Sequence, residues 1–224
     1  MKRRLSEMTR QLYIVGIESL PVIALSLLFI TVMLITEFSY HVKLVLRQDS
    51  LVPAFSTILM VRELGPVVTC LLLASRIGAG IAAEIGAMRI TDQIDALRLV
   101  GVRPIGYLVL PRWFACVLGS CSLSVIALGI GVLGGASIAA LSLGYGIQEY
   151  FNTMFVFTRY RDVWGCLLKS ACFGTLIPWV ASYHGFRCAP GSQGVGDAAT
   201  RAVVHASVLI IVVDFLLTYW LRTI

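Results

Sequence analysis

The chain has 224 residues, of which 58% are hydrophobic and 13% charged, and its mean hydropathy is +0.88. Soluble domains carry about 25% charged residues, so this composition excludes a water-soluble domain and reads as an integral membrane protein. The formal net charge of +6 calls for no nucleic-acid partner, because anionic headgroups at an inner membrane face attract the same lysines and arginines.

Residues 1–17 are basic and then mixed, without the apolar core of about 7 to 15 residues and the small-residue cleavage site of a secretory signal. Leu12, Tyr13, Val15, Gly16 and Ile17 suit a segment lying along the membrane interface before the first span. A helix crosses the hydrocarbon core with roughly 20 apolar residues. Five stretches qualify: 19–36, 58–83, 106–126, 165–183 and 202–220. Glu18 and Glu37 bracket the first as interfacial groups, and Arg76, inside the second, reads as structural, although a tilted helix ending near it would let it snorkel inward.

Between the second and third spans lies a charged loop over residues 84–104. Ile90, Ile94 and Leu97 recur there at helical spacing, while Asp92, Gln93, Asp95 and Arg98 face elsewhere. Gly101 and Pro104 then supply a helix stop. A short helix with one apolar and one charged face is suited to dock in a groove of a cytoplasmic partner.

Residues 113–148 carry no charge, which is too long a run for one span, and Gly129, Gly131, Gly134, Gly135, Gly144 and Gly146 crowd its second half. The expectation is a helix followed by a bent or re-entrant end. Gly129, Gly131 and Gly134 also fit G-x-G-x-x-G, but no soluble strand precedes them and no acidic residue follows at the spacing a ribose needs. Close helix packing explains them better. Gly131 and Gly135 form GxxxG, and Gly78, Ala82 and Gly86 form a second small-residue ladder.

Basic residues set the orientation, because loops on the cytoplasmic side hold the positive excess. With the N-terminus inside, 11 basic residues face inward: Lys2, Arg3, Arg4, Arg10, Arg76, Arg89, Arg98, Arg103, Arg112, Arg187 and Arg201. Five face outward: Lys43, Arg47, Arg159, Arg161 and Arg222, with Arg62 and Lys169 set apart as membrane-embedded. The expected fold is therefore an all-α integral membrane protein with about five transmembrane helices per subunit, N-in and C-out, with a short cytoplasmic coupling helix. A single domain is expected to span residues 1–224.

A charge at the centre of a membrane helix costs about 2.5 to 3.5 kcal/mol on insertion scales. Arg62 and Glu63 at the head of the second span, Lys169 in the fourth and Asp214 in the fifth are therefore candidates for a purpose. Pairing of Arg62 or Lys169 with Glu63 or Asp214 would lower that cost and set helix register. The compatible functional reading is a polar spot for a headgroup, with Leu64, Leu71 and Leu72 facing acyl chains.

The six cysteines, Cys70, Cys116, Cys121, Cys166, Cys172 and Cys188, show no CxxC pairing and read as small buried hydrophobes. His41, His184 and His205 sit on separate segments, so no metal site and no cofactor is expected. No nucleophile stands beside a base, which argues against an enzyme. No G-x-x-x-x-G-K-[ST] occurs either, so any ATP that drives this protein binds another chain.

Arg62-Glu63-Leu64-Gly65-Pro66, Arg76-x-Gly78, Ala83-Glu84-Ile85-Gly86-x-Met88-Arg89-x-Thr91-x-Gln93 and Pro111-Arg112 together resemble the MlaE-type, or Mce-associated, permeases of lipid-transporting ABC systems. Gln11-Leu12-Tyr13-x-Val15-Gly16, Gly194-Val195-Gly196, Ala199 to Val204 and Asp214 to Thr218 extend the resemblance over nearly the whole chain. It implies a homodimeric permease of the bacterial inner membrane with cytoplasmic ABC ATPase subunits, a periplasmic Mce-domain protein and room for a small regulatory subunit. The implied activity is movement of phospholipid between the inner membrane and the periplasmic carrier, in maintenance of outer-membrane lipid asymmetry.

Carried over by position, Arg62, Glu63 and Leu64 would line the lipid cavity, and Lys169 and Asp214 would add polar contacts. Glu84, Arg89, Asp92, Ile94, Asp95, Leu97 and Arg98 would couple to the ATPase. The lead before the first span is shorter than is usual in that family. Asp95-Ala96-Leu97-x-x-x-Gly101 also looks like the EAA loop of ABC importers, with a shorter gap after the glycine. The alternative is an ion-coupled secondary transporter using Glu63, Lys169 and Asp214, although five spans divide poorly into the inverted halves such carriers show.

Overall fold

The computed structural model describes residues 2–45, 52–144 and 146–223, and every regular element among them is helical. The helices are α1 (Lys2–Gly16), α2 (Leu20–Val45), α3 (Val52–Leu59), α4 (Gly65–Leu73), α5 (Ala79–Ile90), α6 (Gln93–Leu99), α7 (Leu110–Leu143), α8 (Ile147–Phe157), α9 (Tyr160–Phe186) and α10 (Ser192–Thr223). Among the described residues three wider π-helical turns, Met60–Leu64, Ala74–Gly78 and Ile105–Val109, interrupt the α-helical pattern. Arg47, counted above among the outer basic residues, lies outside the described residues.

Among the described residues five helical stretches are long and apolar enough to cross a membrane: Met8–Val42, Val52–Ile90, Ile105–Leu141, Tyr160–Phe186 and Ser192–Thr223. The chain is an all-α integral membrane protein, as its composition implied. Helix is the fold that lets an apolar segment satisfy its own backbone groups where no water can.

Two of the π turns have a cause in the sequence. Met60–Leu64 ends two residues before Pro66, and Ile105–Val109 ends two residues before Pro111. Proline has no N–H to donate and its ring crowds the carbonyl four residues earlier, so the preceding turn widens instead of closing. In the first of them the Gly65 N–H reaches back five residues to the Met60 carbonyl.

The chain forms two compact units. One comprises Met1–Ser19, Cys70–Ser122 and Lys169–Ile224. Its helices approach through small residues: a Cβ on Gly174 would lie 2.2 Å from Ser120 Oγ and 2.9 Å from the Cys116 carbonyl, and Ser120 Oγ donates to the Ser170 carbonyl at 2.9 Å. The Gly78, Ala82, Gly86 ladder is seated along α9. Gly78 faces Ile177, the Ala82 carbonyl lies 3.0 Å from where a Cβ on Gly185 would be, and Gly86 faces Cys188. At the start of this unit Val15 is buried against Gly119, while Leu12, Tyr13 and Ile17 remain exposed. Arg76 reaches Glu18 and Ser19, each at 3.0 Å, so it ties the end of α1 to the second apolar stretch.

The other unit comprises Leu20–Thr69 and Leu123–Leu168. Here the glycine-rich half of α7 differs from the re-entrant end expected: it is continuous helix to Leu143, ended by Gly144 at φ +70°. The reason is packing. A side chain on Gly131 would strike Met60 and Thr31, and one on Gly135 would strike Ile35 and Tyr150, so the GxxxG face lets neighbouring helices close in. Unwinding it would also expose backbone groups that lipid cannot satisfy.

Candidate functional site

The intramembrane charges fall into two local arrangements, one in each unit. In the unit holding α2 and α3, the π turn Met60–Leu64 presents Arg62, Glu63 and Leu64 in the middle of an apolar stretch. Consecutive residues on a helix point in different directions, and the extra residue of a π turn re-aims them relative to the flanking helices. Arg62 Nε pairs with Asp162 Oδ1 at 2.8 Å; the guanidinium side chain is 53% exposed and the carboxylate 9%. The other Asp162 oxygen accepts the Arg159 backbone N–H at 3.0 Å, capping the first turn of α9. Asp162 was not singled out from the sequence. Its only signal was an acidic residue in the first turn of an apolar helix, where the helix dipole favours it. Glu63 and Leu64 are partly buried beside Arg62.

In the unit holding α9's second half and α10, Lys169 is 2% exposed. Its ammonium lies 2.8 Å from Asp214 Oδ1 and donates to Thr218 Oγ1 at 2.6 Å. Asp214 and Thr218 are four residues apart on α10 and so share a face. The contact with Asp214 Oδ1 is an ion pair and not an aligned hydrogen bond; the aligned bond is the one to Thr218. Of the pairings expected from sequence, Lys169 with Asp214 is present.

The segment after α5 also lies in this unit. The Thr91 hydroxyl returns to the Ala87 carbonyl at 2.9 Å, Asp92 turns the chain at φ 54°, and Gly101 ends the segment at φ +79°. Within it Asp95 lies 2.9 Å from Arg98 and 3.5 Å from Arg89. Glu84 turns away from this group and pairs with Arg112 at 2.7 Å. Ile94, expected to contribute to the docking stripe, is fully buried and serves to hold α6 in place. The exposed apolar residues are Leu99 and Val100, at 90% and 80%, which helical periodicity did not select because they follow one another at the helix end.

Arg112 is 8% exposed, whereas Glu84 is 56% exposed, so the two are not equivalent. Glu84→Ala strands a buried cation whose Nε already lacks a partner. The expected loss is about 1 to 3 kcal/mol, read as a lower thermal midpoint in detergent; Arg112→Gln, which leaves an exposed carboxylate, is expected to cost less.

None of the six cysteines forms a disulfide, and Cys70, Cys116 and Cys166 are buried. Among the described residues no group of three or more His, Cys, Asp or Glu side chains is placed to hold a metal ion.

The family model described as "Permease MlaE" matches residues 8–220. A protein of Rickettsia felis described as a probable ABC transporter permease is 37% identical over 214 residues, covering 96% of this chain and 82% of that one. The intermembrane phospholipid transport system permease protein MlaE of Haemophilus influenzae is 32% identical over 212 residues, covering 94% and 81%. A probable ABC transporter permease of Synechocystis is 34% identical over 213 residues, covering 93% and 79%.

Proposed function

The chain belongs to the MlaE permease family, and on that premise we propose that it is the membrane subunit of an ABC transporter that moves phospholipid between the inner membrane and a periplasmic Mce-domain carrier. The observation that carries this reading is the π turn at Met60–Leu64, which holds Arg62 half exposed and Glu63 partly buried within an apolar helical stretch. Such a turn offers a charged group of each sign to a headgroup while Leu64, partly exposed, suits the acyl chains.

In this reading the permease is a homodimer oriented N-in and C-out. ATP hydrolysis takes place on cytoplasmic partner subunits, which engage residues 84–104, with α6 as the coupling helix and Leu99 and Val100 as its apolar contact. Lys169 and Asp214 supply further polar contacts within the membrane. A ligand is moved only if two states of the protein bind it differently; drawing the coupling helices together on ATP binding would change the affinity of the Arg62 and Glu63 site for the headgroup. The electrostatic role of each residue follows: Arg62, held by Asp162, attracts phosphate, and Glu63 attracts a headgroup amine or repels phosphate at release.

Purification of the protein from its native host in mild detergent tests the assignment. The expected result is a stoichiometric ATPase and an Mce-domain protein in the complex, with phospholipid in the extract by mass spectrometry. A lone protein without lipid would overturn it and favour the ion-coupled carrier.

A further inference from the structure

We propose that the cavity at the junction of α9 and α10 binds a phosphate group, carried either by a lipid headgroup or by a soluble phosphate ester. The cavity has a volume of about 370 Å³ and is lined by Tyr183, His184, Arg187, Cys188, Asp197 and Arg201 among others, within the range of about 300 to 1,000 Å³ typical of small-molecule sites. Two guanidinium groups face it against one carboxylate, so the lining is net positive whichever state the histidine takes. Neither guanidinium is ion-paired among the described residues. Arg187 lies over the Tyr183 ring at 4.4 Å and donates to the Tyr183 hydroxyl, which fixes its plane and leaves its other N–H groups for a ligand. A pre-oriented guanidinium of this kind suits phosphate oxygens, which accept two parallel hydrogen bonds.

The histidines add a donor. His184 Nε2 and His205 Nδ1 lie 2.8 Å apart with their rings stacked at 4.8 Å, so one proton is shared between them. A neutral imidazole has one donor and one acceptor nitrogen. When His205 donates, the second nitrogen of His184 carries a proton and becomes a donor; an anion in the cavity selects that tautomer. The two residues are 21 positions apart, which is why the sequence showed only scattered histidines.

Backbone geometry agrees. The 32-residue α10 begins at Ser192 with the Val195 N–H returned to the Gly191 carbonyl, so the preceding N–H groups of its first turn are left for an acceptor. Gly191 takes φ +95° where the chain turns into α10, and a side chain on Gly194, which lines the cavity, would collide with the Ala189 carbonyl. Cys188 also packs on Gly86, so the cavity lies behind the last turns of α5, the helix that leads into α6.

The test needs no ATPase, so its outcome is independent of the transport reading. The full chain, purified in a phosphate-free maltoside detergent, is titrated calorimetrically with inorganic phosphate, with dihexanoyl phosphatidylglycerol and with dihexanoylglycerol as the phosphate-free control. Binding of a phosphate probe and not of the control is expected. Arg187→Gln and Arg201→Gln should each weaken it about tenfold or more, as loss of a charge-assisted hydrogen bond implies. Asp197→Asn should tighten it, a change of sign that misfolding cannot produce. Binding of inorganic phosphate assigns the site to a soluble phosphate ester; binding of the phospholipid alone assigns it to a headgroup. Absence of binding by either phosphate probe, or unchanged affinity in both arginine variants, would overturn the proposal.

Discussion

Glu63→Ala is expected to reduce ATP-driven lipid transfer by the reconstituted transporter about tenfold or more while leaving the complex assembled. Glu63 sits in the π turn ahead of Pro66, next to Arg62, whose guanidinium is anchored by Asp162 at 2.8 Å. A hydrogen bond to a charged group is worth about 1.5 to 3 kcal/mol, and about 1.4 kcal/mol is a factor of ten. The deletion acts on transport and not on folding because Glu63 is only partly buried. Transfer is measured from donor to acceptor vesicles with ATPase activity followed in parallel. Unchanged transfer would remove Glu63 from the lipid path; loss of assembly would make its role structural. Asp162→Asn is the companion experiment. It should loosen Arg62 and impair transfer less than Glu63→Ala, because the amide still accepts a hydrogen bond.

Asp214→Ala is expected to destabilise the protein by about 3 to 5 kcal/mol, the effect of removing one partner of a buried ion pair. Lys169 is 2% exposed, and its partners include Asp214 at 2.8 Å and Thr218 at 2.6 Å. The single substitution keeps the ammonium buried and removes the Asp214 carboxylate from it. The double variant Lys169→Met with Asp214→Leu removes both charges and should recover most of the stability, since buried ion pairs are often replaceable by apolar residues of similar volume. Thermal unfolding in detergent distinguishes the cases. If the double variant is stable yet transports no lipid, the pair has a functional role; if it is stable and active, the pair serves helix register alone.

Much of this was legible in the residues themselves. Four intramembrane charges stood out because lipid makes them expensive, and the cost depends on position along the chain, which sequence states directly. The pairing of Lys169 with Asp214 followed from two opposite charges having few other ways to be buried. The Gly78, Ala82, Gly86 ladder and the Gly131, Gly135 pair marked faces of close approach, and each is indeed packed under a neighbouring helix. The π turns were not read from the sequence: two of them end two residues before Pro66 and Pro111, a signal that hydrophobic periodicity overlooks because it assumes a uniform turn.

What sequence alone determined is the class of the protein, its apolar spans and the faces of single helices, because these depend on residue type and on spacing within one continuous segment. Tertiary structure decided which distant residue meets each face. Asp162 meets Arg62 across 100 positions, His205 meets His184 across 21, and Ile94 turns inward instead of toward a partner. Periodicity says that a face will be covered; only the packed helices, each excluding the others from the same space, determine what covers it.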